Sequence, residues 1–220
     1  PDGGTASGAS DVVFLVNPAS ENGATGRRWP EIAHLAAERG LTGDTLLSER
    51  PRQLTELARA AVAGGARLLV VVGGDGTVHE VANGVGGAEG VEIAVIPRGT
   101  GWDFVRTFGI PRKLEDAIDV ALSGRARTID LGRATYRSWA GEEETGHFAN
   151  VASAGMSGAG AKRANETTKA LGGKVSYAWA TLAVFARWDP DEMKVTVDGA
   201  ERTGPMHDVI VANGRFLAGG

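Results

Sequence analysis

Short apolar runs alternate with amphipathic stretches through the first half of the chain. Residues 12–16 and 68–72 are wholly apolar, which is typical of strands buried on both faces of a parallel sheet. Shorter strands are predicted at residues 45–47 and 93–96. The stretches between the strands carry apolar residues at helical spacing, and they predict helices at residues 30–39, 51–63, 77–85 and 114–122, with Pro30 in the first turn of its helix. This alternation predicts βαβ units and an α/β fold.

After residue 124 the pattern changes to short strands, which predicts a β-rich and mainly antiparallel second part. The predicted strands are residues 126–131, 134–139, 147–152, 194–197 and 208–212, and one amphipathic helix is predicted at 174–187. The acidic run 142–144 is interpreted as a solvated hairpin tip. The sequence therefore predicts a disordered tail at 1–10, an α/β domain at 11–124 and a β-rich domain at 125–220.

Composition narrows the classes of protein that are compatible with this pattern. The chain has no Cys, which excludes a disulfide scaffold, thiolate chemistry and Cys-ligated zinc. The net charge of −4 gives no reason to expect a nucleic-acid partner. The longest strongly apolar stretch lies at 175–186 and is shorter than the ~20 residues of a membrane span. Glycine is abundant, with 33 residues among 220, about twice the ~7% of average usage.

Part of that glycine lies in a loop after the predicted strand 68–72. The sequence there is Gly73-Gly74-Asp75-Gly76-Thr77 followed by a predicted helix. Glycines let a ligand approach the backbone closely, and the N–H groups at a helix N-terminus form an anion site. A carboxylate beside phosphates needs a cation between them, and Mg²⁺ takes carboxylate and phosphate oxygens together.

A second loop repeats this composition after the next strand, with Gly99-Thr100-Gly101-Trp102-Asp103 before a short helix. Because the carboxyl ends of parallel strands meet at one edge of a sheet, the two loops are expected to converge on one polyphosphate. The alternative is that both loops are ordinary turns, with Thr77 and Asp103 as helix caps. The sequence has neither the GxxxxGK[ST] nor the GxGxxG motif.

The segment GGDGTVHEVANG at 73–84 resembles the signature of the diacylglycerol kinase catalytic-domain family, which includes bacterial lipid kinases and sphingosine kinases, with NAD kinases as distant relatives. The match extends in order through Asn17-Pro18, 97–104, 129–132, 148–150 and 211–215. The resemblance implies an α/β nucleotide-binding domain followed by a β-rich domain. It also implies transfer of the γ-phosphoryl group of ATP to a lipid hydroxyl, with Mg²⁺ as cofactor.

The resemblance also implies site residues. Nucleotide-contacting positions are matched by Asn17, Ser20, Ser48, Gly73, Gly74, Asp75, Gly76, Thr77, Val78, His79, Gly99 and Thr100. Acidic positions that could hold Mg²⁺ directly or through water are matched by Asp75, Asp103 and Asp130, and Asp75 is the expected catalytic residue. Asp130 is expected on the first strand beyond residue 124, facing the cleft between the domains.

Three features depart from the family pattern. Trp102 stands where the family usually has Asn before Asp, and it could stack on adenine or block it. Glu21 adds negative charge near the expected phosphates. The general base toward the lipid hydroxyl is expected beyond Gly220, together with further strands, so the 220-residue chain is expected to bind Mg-nucleotide weakly at best and to be inactive by itself.

Several readings of function remain open at this point. The first is an ATP-dependent lipid kinase that is cytoplasmic and transiently contacts the inner membrane face, where its lipid substrate lies. The second is a NAD kinase-like enzyme with a soluble acceptor, and the third is a non-catalytic nucleotide-binding module. The acceptor lipid is left open, and so is the oligomeric state, for which a homodimer is one arrangement.

Overall fold

The computed structural model describes residues 10–138, 140–160 and 188–217. Its first part alternates strands and helices as the hydrophobic pattern predicts. The elements are β1 (Val12–Val16), α1 (Ala24–Glu38), β2 (Asp44–Leu47), α2 (Gln53–Ala63), β3 (Leu68–Gly73), α3 (Asp75–Val85), β4 (Glu92–Pro97), α4 (Asp103–Phe108) and α5 (Leu114–Ser123).

These strands form a parallel sheet in the order β2-β1-β3-β4. Leu15 of β1 pairs with Val71 of β3, which in turn pairs with Val95 of β4. Because every strand runs in the same direction, the ends of β1, β3 and β4 lie along one edge of the sheet. The predicted α/β fold with a parallel sheet is confirmed, and this edge is where the two glycine-rich loops emerge.

Alternate residues of the strands build two apolar clusters, one on each face of the sheet. Leu15 and Val71 pack in a cluster with residues of α2, α3 and α4, whereas Val16 and Val72 pack in a cluster with residues of α1 and α5. Side chains alternate between the faces of a strand, so a wholly apolar run supplies both clusters at once. The helices thus cover both faces and hold the strand ends in place.

The start of α1 differs from the prediction, because the helix begins at Ala24 and Pro30 lies in its interior. Local contacts fold this earlier turn. The hydroxyl of Ser20 donates to the hydroxyl of the buried Thr25 at 2.6 Å, and a Cβ on Gly26 would lie 2.8 Å from the Cβ of Pro18. Pro30 is exposed, so the hydrogen bond that proline removes from a helix is lost on the solvent side.

The second part of the chain consists of antiparallel strand pairs. The strands are β5 (Gly132–Arg137), β6 (Glu143–Phe148), β7 (Val151–Gly155), β8 (Asp191–Val197), β9 (Ala200–Met206) and β10 (Asp208–Ala212). β5 pairs with β6, β8 with β9, and β10 with β7, each antiparallel. The predicted β-rich, antiparallel character is confirmed. The hairpin β5–β6 turns just before the acidic run, since the N–H of Ser138 donates to the carbonyl of Glu142 at 2.7 Å.

Two predicted strands are wrong. Residues 126–131 are irregular and mostly exposed. Only Ile129 and Leu131 among them pack against a core cluster. The alternation of apolar residues therefore reflects these two contacts and not hydrogen bonding to a neighbouring strand. The predicted strand 147–152 is interrupted between Phe148 and Val151, because the carbonyls of Ala149 and Asn150 accept hydrogen bonds from Asn213. Strand β9 was not predicted, because its run of polar residues lacks a clear alternation.

The described chain divides into two compact units. Residues up to Asn150 and from Asn213 onward belong to the first unit, and Val151–Ala212 form the second. The hairpin β5–β6 therefore belongs to the first unit, although it follows residue 124. The predicted helix 174–187 lies outside the described residues. No helix in the described ranges is both long enough and apolar enough to cross a membrane.

Candidate functional site

Two glycine-rich loops meet at the carboxyl ends of β3 and β4. We define the first glycine loop as residues 73–76 and the second as residues 98–101. The N–H of Arg98 donates to the carbonyl of Gly73 at 2.8 Å, which extends the β3–β4 pairing into the loops. Beyond that bond, a Cβ on Gly99 would lie 2.5 Å from the Cα of Gly74. The predicted convergence of the two loops is present, and it is a direct contact between backbones.

Most glycines of these loops are required by contacts within the protein. A Cβ on Gly73 would overlap the side chain of Thr77, and a Cβ on Gly101 would lie 2.5 Å from Oδ2 of Asp75. A Cβ on Gly76, in contrast, would meet nothing within 4 Å. Packing thus explains the glycine at 73, 99 and 101, whereas the open space at Gly76 leaves the backbone accessible to a ligand.

Asp75 joins the two loops through its carboxylate. Oδ1 accepts the N–H of Phe104 at 3.0 Å, and Oδ2 accepts the N–H of Asp103 at 3.4 Å. These are the first two N–H groups of α4, which a helix cannot pair internally. Trp102, at the N-cap of α4, makes no capping hydrogen bond with its side chain. Asp75 therefore caps α4 from the neighbouring loop, while each of its oxygens retains lone pairs for a further partner.

The N-terminus of α3 lies beside this contact. The N–H groups of Thr77 and Val78 both donate to the carbonyl of Gly74, at 2.9 and 3.1 Å. The N–H groups of Asp75 and Gly76, the first helical residues, have no partner within the helix. Val78 itself is buried in the core, so it can contribute only through its backbone. Thr77 and Asp103 lie inside helices, so neither is the capping residue that the alternative interpretation required.

The segment after β1 is tied to the first glycine loop. Nδ2 of Asn17 donates to the Thr77 hydroxyl at 3.1 Å, and the Asn17 N–H donates to the carbonyl of Val72 at 3.0 Å. The Ser20 hydroxyl is 2.9 Å from the carbonyl of Asn17. The N–H of Ser48 donates to the carbonyl of Val16 at 3.0 Å, which places Ser48 at the end of β2 along the same edge. Thr100 is exposed at the tip of the second loop.

His79 lies one turn into α3, where Asn83 links that helix to β6. Nδ2 of Asn83 donates to the carbonyl of His147 at 2.8 Å, and its Oδ1 accepts the N–H of His147 at 2.8 Å. Nε2 of His79 is 3.5 Å from the same amide nitrogen. Although His79 as a residue is exposed, partial burial of the ring lowers its pKa, and the charge of Glu80 only partly opposes this. A neutral His79 is therefore favoured. The role of Asn83 was missed, because an amide within a helical pattern gives no signal of a distant partner.

The three acidic residues expected near Mg²⁺ are placed differently from one another. Asp75 lies in the first glycine loop, Asp103 is 8% exposed in the first turn of α4, and Asp130 is exposed on the irregular segment rather than on a strand. In the described ranges, no group of three or more acidic or histidine side chains is placed to hold a metal ion. A site that uses one or two carboxylates together with substrate phosphates remains compatible with Asp75.

An ion pair between the Arg98 guanidinium and the Glu21 carboxylate spans the loop after β1 and the second glycine loop. Both side chains are largely buried, with 14% of Arg98 and 24% of Glu21 exposed. The sequence shows the extra negative charge of Glu21 but gives no signal of its pairing with Arg98, since 77 positions separate them. The structure therefore neutralises the charge that was expected to oppose phosphates.

Two asparagines fix the point at which the chain re-enters the first unit. The N–H groups of Asn213 and Gly214 both donate to the carbonyl of Asn150 at 2.8 Å. Nδ2 of Asn213 donates to the carbonyls of Asp130 and Ala149, at 2.7 and 3.0 Å. These asparagines belong to the matched motifs, but no role had been given to them. Asn213 thus holds the segment that carries Asp130.

Trp102 contacts Arg112, whose guanidinium carbon lies 3.9 Å from the centre of the indole ring. The indole also packs against the core cluster that contains Leu15 and Val71. One face of the ring is therefore covered by a cation from this chain. Whether the ring also contacts a nucleotide stays a prediction.

The fold and these loops define an α/β protein in which two glycine-rich loops and a helix N-terminus lie at the carboxyl edge of a parallel sheet, an arrangement that typically binds anions. Residues 11–134 match the diacylglycerol kinase catalytic domain, and residues 150–220 match the YegS C-terminal NAD kinase beta sandwich-like domain. The chain therefore belongs to the diacylglycerol kinase catalytic-domain family, and its second part matches an NAD kinase-like domain.

Individual relatives support this assignment. The chain is 31% identical over 194 residues to a diacylglycerol kinase of Mycobacterium tuberculosis, covering 86% of this chain and 60% of the relative. It is 27% identical over 193 residues to an Escherichia coli protein named "Probable lipid kinase YegS", covering 86% of this chain and 62% of that protein. The crystal structure of a diacylglycerol kinase from Bacillus anthracis matches with a TM-score of 0.67 at 28% identity, covering 94% of this chain and 66% of that one. The chain thus spans about three fifths of the length of the curated relatives it matches.

Proposed function

We propose that this chain carries the ATP-binding part of a lipid kinase, which transfers the γ-phosphoryl group to a lipid hydroxyl of the diacylglycerol or sphingoid type. The observation that carries the proposal is the contact between Gly74 and Gly99, which brings two glycine loops and a helix N-terminus to one edge of the sheet. Membership of the family and the names of its relatives supply the reaction class.

The glycine loops fit the phosphates of a nucleotide. The backbone at Gly76 is open, and the first N–H groups of α3 have no partner in their own helix. Such N–H groups and the positive end of the helix dipole attract anions. We assign the phosphates to the first glycine loop, with Thr100, Ser20, Ser48 and the Asn17–Thr77 pair positioned along the same edge. The lowered pKa of His79 favours its uncharged ring, so this side chain would border the nucleotide without adding charge.

Asp75 fits a magnesium site that uses one protein carboxylate. Its two oxygens each accept one backbone N–H, which fixes the carboxylate and leaves further lone pairs. When bound, ATP and Mg²⁺ would supply the phosphoryl group and a charge that offsets its negative oxygens. Asp75 would orient that charge, and Asp103 and Asp130 would act through water. We place the lipid acceptor at the cytoplasmic surface of the inner membrane, which the protein contacts transiently.

The first prediction concerns the reaction catalysed by the complete product of the gene. Vesicles that contain diacylglycerol or a sphingoid base are incubated with Mg²⁺ and ATP labelled in the γ-phosphate, and label in the lipid is measured. The Asp75→Asn substitution removes the charge and retains one of the two oxygens that accept N–H groups of α4, so the melting temperature should fall modestly. We expect it to lower turnover at least ~100-fold at a temperature where the variant is still folded.

The matched control is Asp116→Asn on α5, which removes an equal charge from an exposed ion pair with Lys113 and should leave turnover unchanged.

Transfer of label to NAD instead of lipid would replace the proposal by a NAD kinase-like enzyme. Full turnover by the Asp75→Asn protein would remove Asp75 from the site.

A second candidate function is a nucleotide-binding module without catalysis. Two observations favour it: Trp102 replaces the asparagine of the family pattern, and the expected acidic residues do not group around a metal position within the described part of the chain. Nucleotide binding that survives Asp75→Ala, without turnover by the complete gene product, would support this module over the kinase.

A further inference from the structure

The ion pair between Glu21 and Arg98 lies within the proposed nucleotide site. Arg98 begins the second glycine loop, and its backbone N–H is bonded to Gly73 in the first. The next residue, Gly99, is the one that touches Gly74. The backbone of Arg98 is thereby fixed at the edge where the proposed phosphates would lie, and its side chain reaches across to the loop after β1.

Arg98 is the sole formal cation that the three segments of this edge contribute. Residues 17–23, 73–79 and 97–103 contain Glu21, Asp75 and Asp103 but only one Lys or Arg, and His79 is held neutral. These three segments would offer a polyphosphate three carboxylates and the guanidinium of Arg98, while Arg27 and Arg52 lie beside them on neighbouring segments. Because Arg binds carboxylate and phosphate with the same planar set of donors, Glu21 and a phosphate are alternative partners for Arg98.

The donors of Arg98 are not all used by Glu21. The guanidinium has five N–H donors; Nη2 engages Oε2 of Glu21, while Nε is buried and finds no hydrogen-bond partner among the described residues. Buried donors without a partner are unfavourable. The guanidinium can therefore gain from an anion that offers more oxygens than one carboxylate.

The backbone of Glu21 is in an uncommon conformation. Its φ is +51°, and the following Asn22 and Gly23 have φ of +55° and +80°. Left-handed conformations are unfavourable for residues with a side chain such as Glu. The loop after β1 thus presents the carboxylate to Arg98 from a left-handed turn that its own backbone hydrogen bonds close.

We propose that Arg98 is a phosphate-binding residue of this edge and that Glu21 is an internal competitor, occupying the guanidinium that the polyphosphate would take. The proposal rests on the proposed nucleotide site and adds to it a specific cation and a carboxylate that opposes binding. It makes the two members of one ion pair act in opposite directions on affinity, which a purely structural ion pair would not do.

The second prediction concerns the binding of Mg-ATP, and separately of magnesium tripolyphosphate, measured by calorimetry on the complete product of the gene. Glu21→Gln should tighten binding of both about three- to tenfold, because it removes the competitor. Arg98→Gln should weaken both about tenfold or more, because it removes a charge-assisted donor. Melting temperatures are recorded in parallel, since both variants lose the same ion pair.

The exposed pair Arg28 and Glu31 on α1 supplies the matched controls, Arg28→Gln and Glu31→Gln, which should leave both affinities unchanged. If Glu21→Gln and Arg98→Gln weaken binding alike or leave it unchanged, the competitor role is wrong and the nucleotide site stands. If tripolyphosphate shows the opposed effects but ATP does not bind, the competitor role stands and the nucleotide site is wrong. If neither ligand binds to any variant, both proposals are wrong.

Discussion

At the scale of single residues, the site is set by side chains whose partners lie far away in sequence. Asp75 is the clearest example, because its carboxylate accepts two backbone N–H groups of α4 in addition to the role that the sequence suggested. The GGDGT motif is sufficient to single out Asp75, since a carboxylate among glycines is unusual. The contact between Asp75 and α4 could not be predicted, because the position of α4 depends on the packing of β4 against β3.

His79 carries the third prediction, which concerns pH. Burial of its ring lowers the pKa below the ordinary 6.5, the charge of Glu80 raises it, and Arg52 lowers it further. The unfolded chain therefore binds a proton more readily than the folded one, so this group makes the protein less stable as pH falls through 6.5 toward the lowered pKa. Above pH 6.5 both states are neutral and the effect is absent.

We expect His79→Gln to reduce the loss of stability between pH 7.5 and pH 5.5, as measured by urea unfolding at several pH values. An identical pH profile for wild type and His79→Gln would contradict the lowered pKa.

At the scale of elements, the pairing of β3 with β4 brings the two glycine loops together. The pairing of Gly73 with Pro97 ends the ladder, and the contact of Gly74 with Gly99 follows immediately. The hydrophobic runs predict both strands, and the glycines predict the loops. The same glycines had been attributed mainly to phosphates, whereas at positions 73, 99 and 101 the protein's own contacts already exclude a side chain.

The fourth prediction compares two substitutions in these loops. Gly99→Ala places a Cβ 2.5 Å from the backbone of Gly74, which neither loop can relieve by rotating a side chain. We expect it to lower the free energy of unfolding by about 2 kcal/mol, as measured by urea denaturation. Gly76→Ala meets open space and should keep or raise stability, by up to about 1 kcal/mol, because it removes a glycine from a helix. Equal stability of the two variants would contradict the close contact.

At the scale of the whole molecule, the described chain forms two compact units, and the first contains a late segment of the sequence. The chain leaves the first unit after Asn150 and re-enters it at Asn213. Asn213 then bonds to the carbonyls of Asp130 and Ala149, so three segments that are distant in sequence are held by one amide. The change of composition near residue 124 predicted a boundary there, but composition does not show that the segment beginning at Asn213 returns to the first unit.

The fifth prediction tests this amide. Asn213→Ala removes an exposed hydrogen bond to the carbonyl of Asp130 and a partly buried one to the carbonyl of Ala149, and we expect the free energy of unfolding to fall by about 1–2 kcal/mol. Asn213→Asp, which keeps the size of the side chain but loses the N–H donors, should be destabilised at least as much. Unchanged urea midpoints for both variants would show that the amide does not hold the returning segment.

Local sequence patterns were enough to predict the α/β class, the parallel strands, the two glycine loops and the family, because these depend on the alternation of apolar residues and on contiguous motifs. They were also enough to predict the antiparallel character of the second part. Four features emerged only from the folded chain: residues 126–131 are irregular, α1 begins before Pro30, Asp75 caps α4 and Glu21 pairs with Arg98. Each of these depends on contacts between segments far apart in the chain, and no local pattern of side chains encodes which distant backbone group or charge will be within reach.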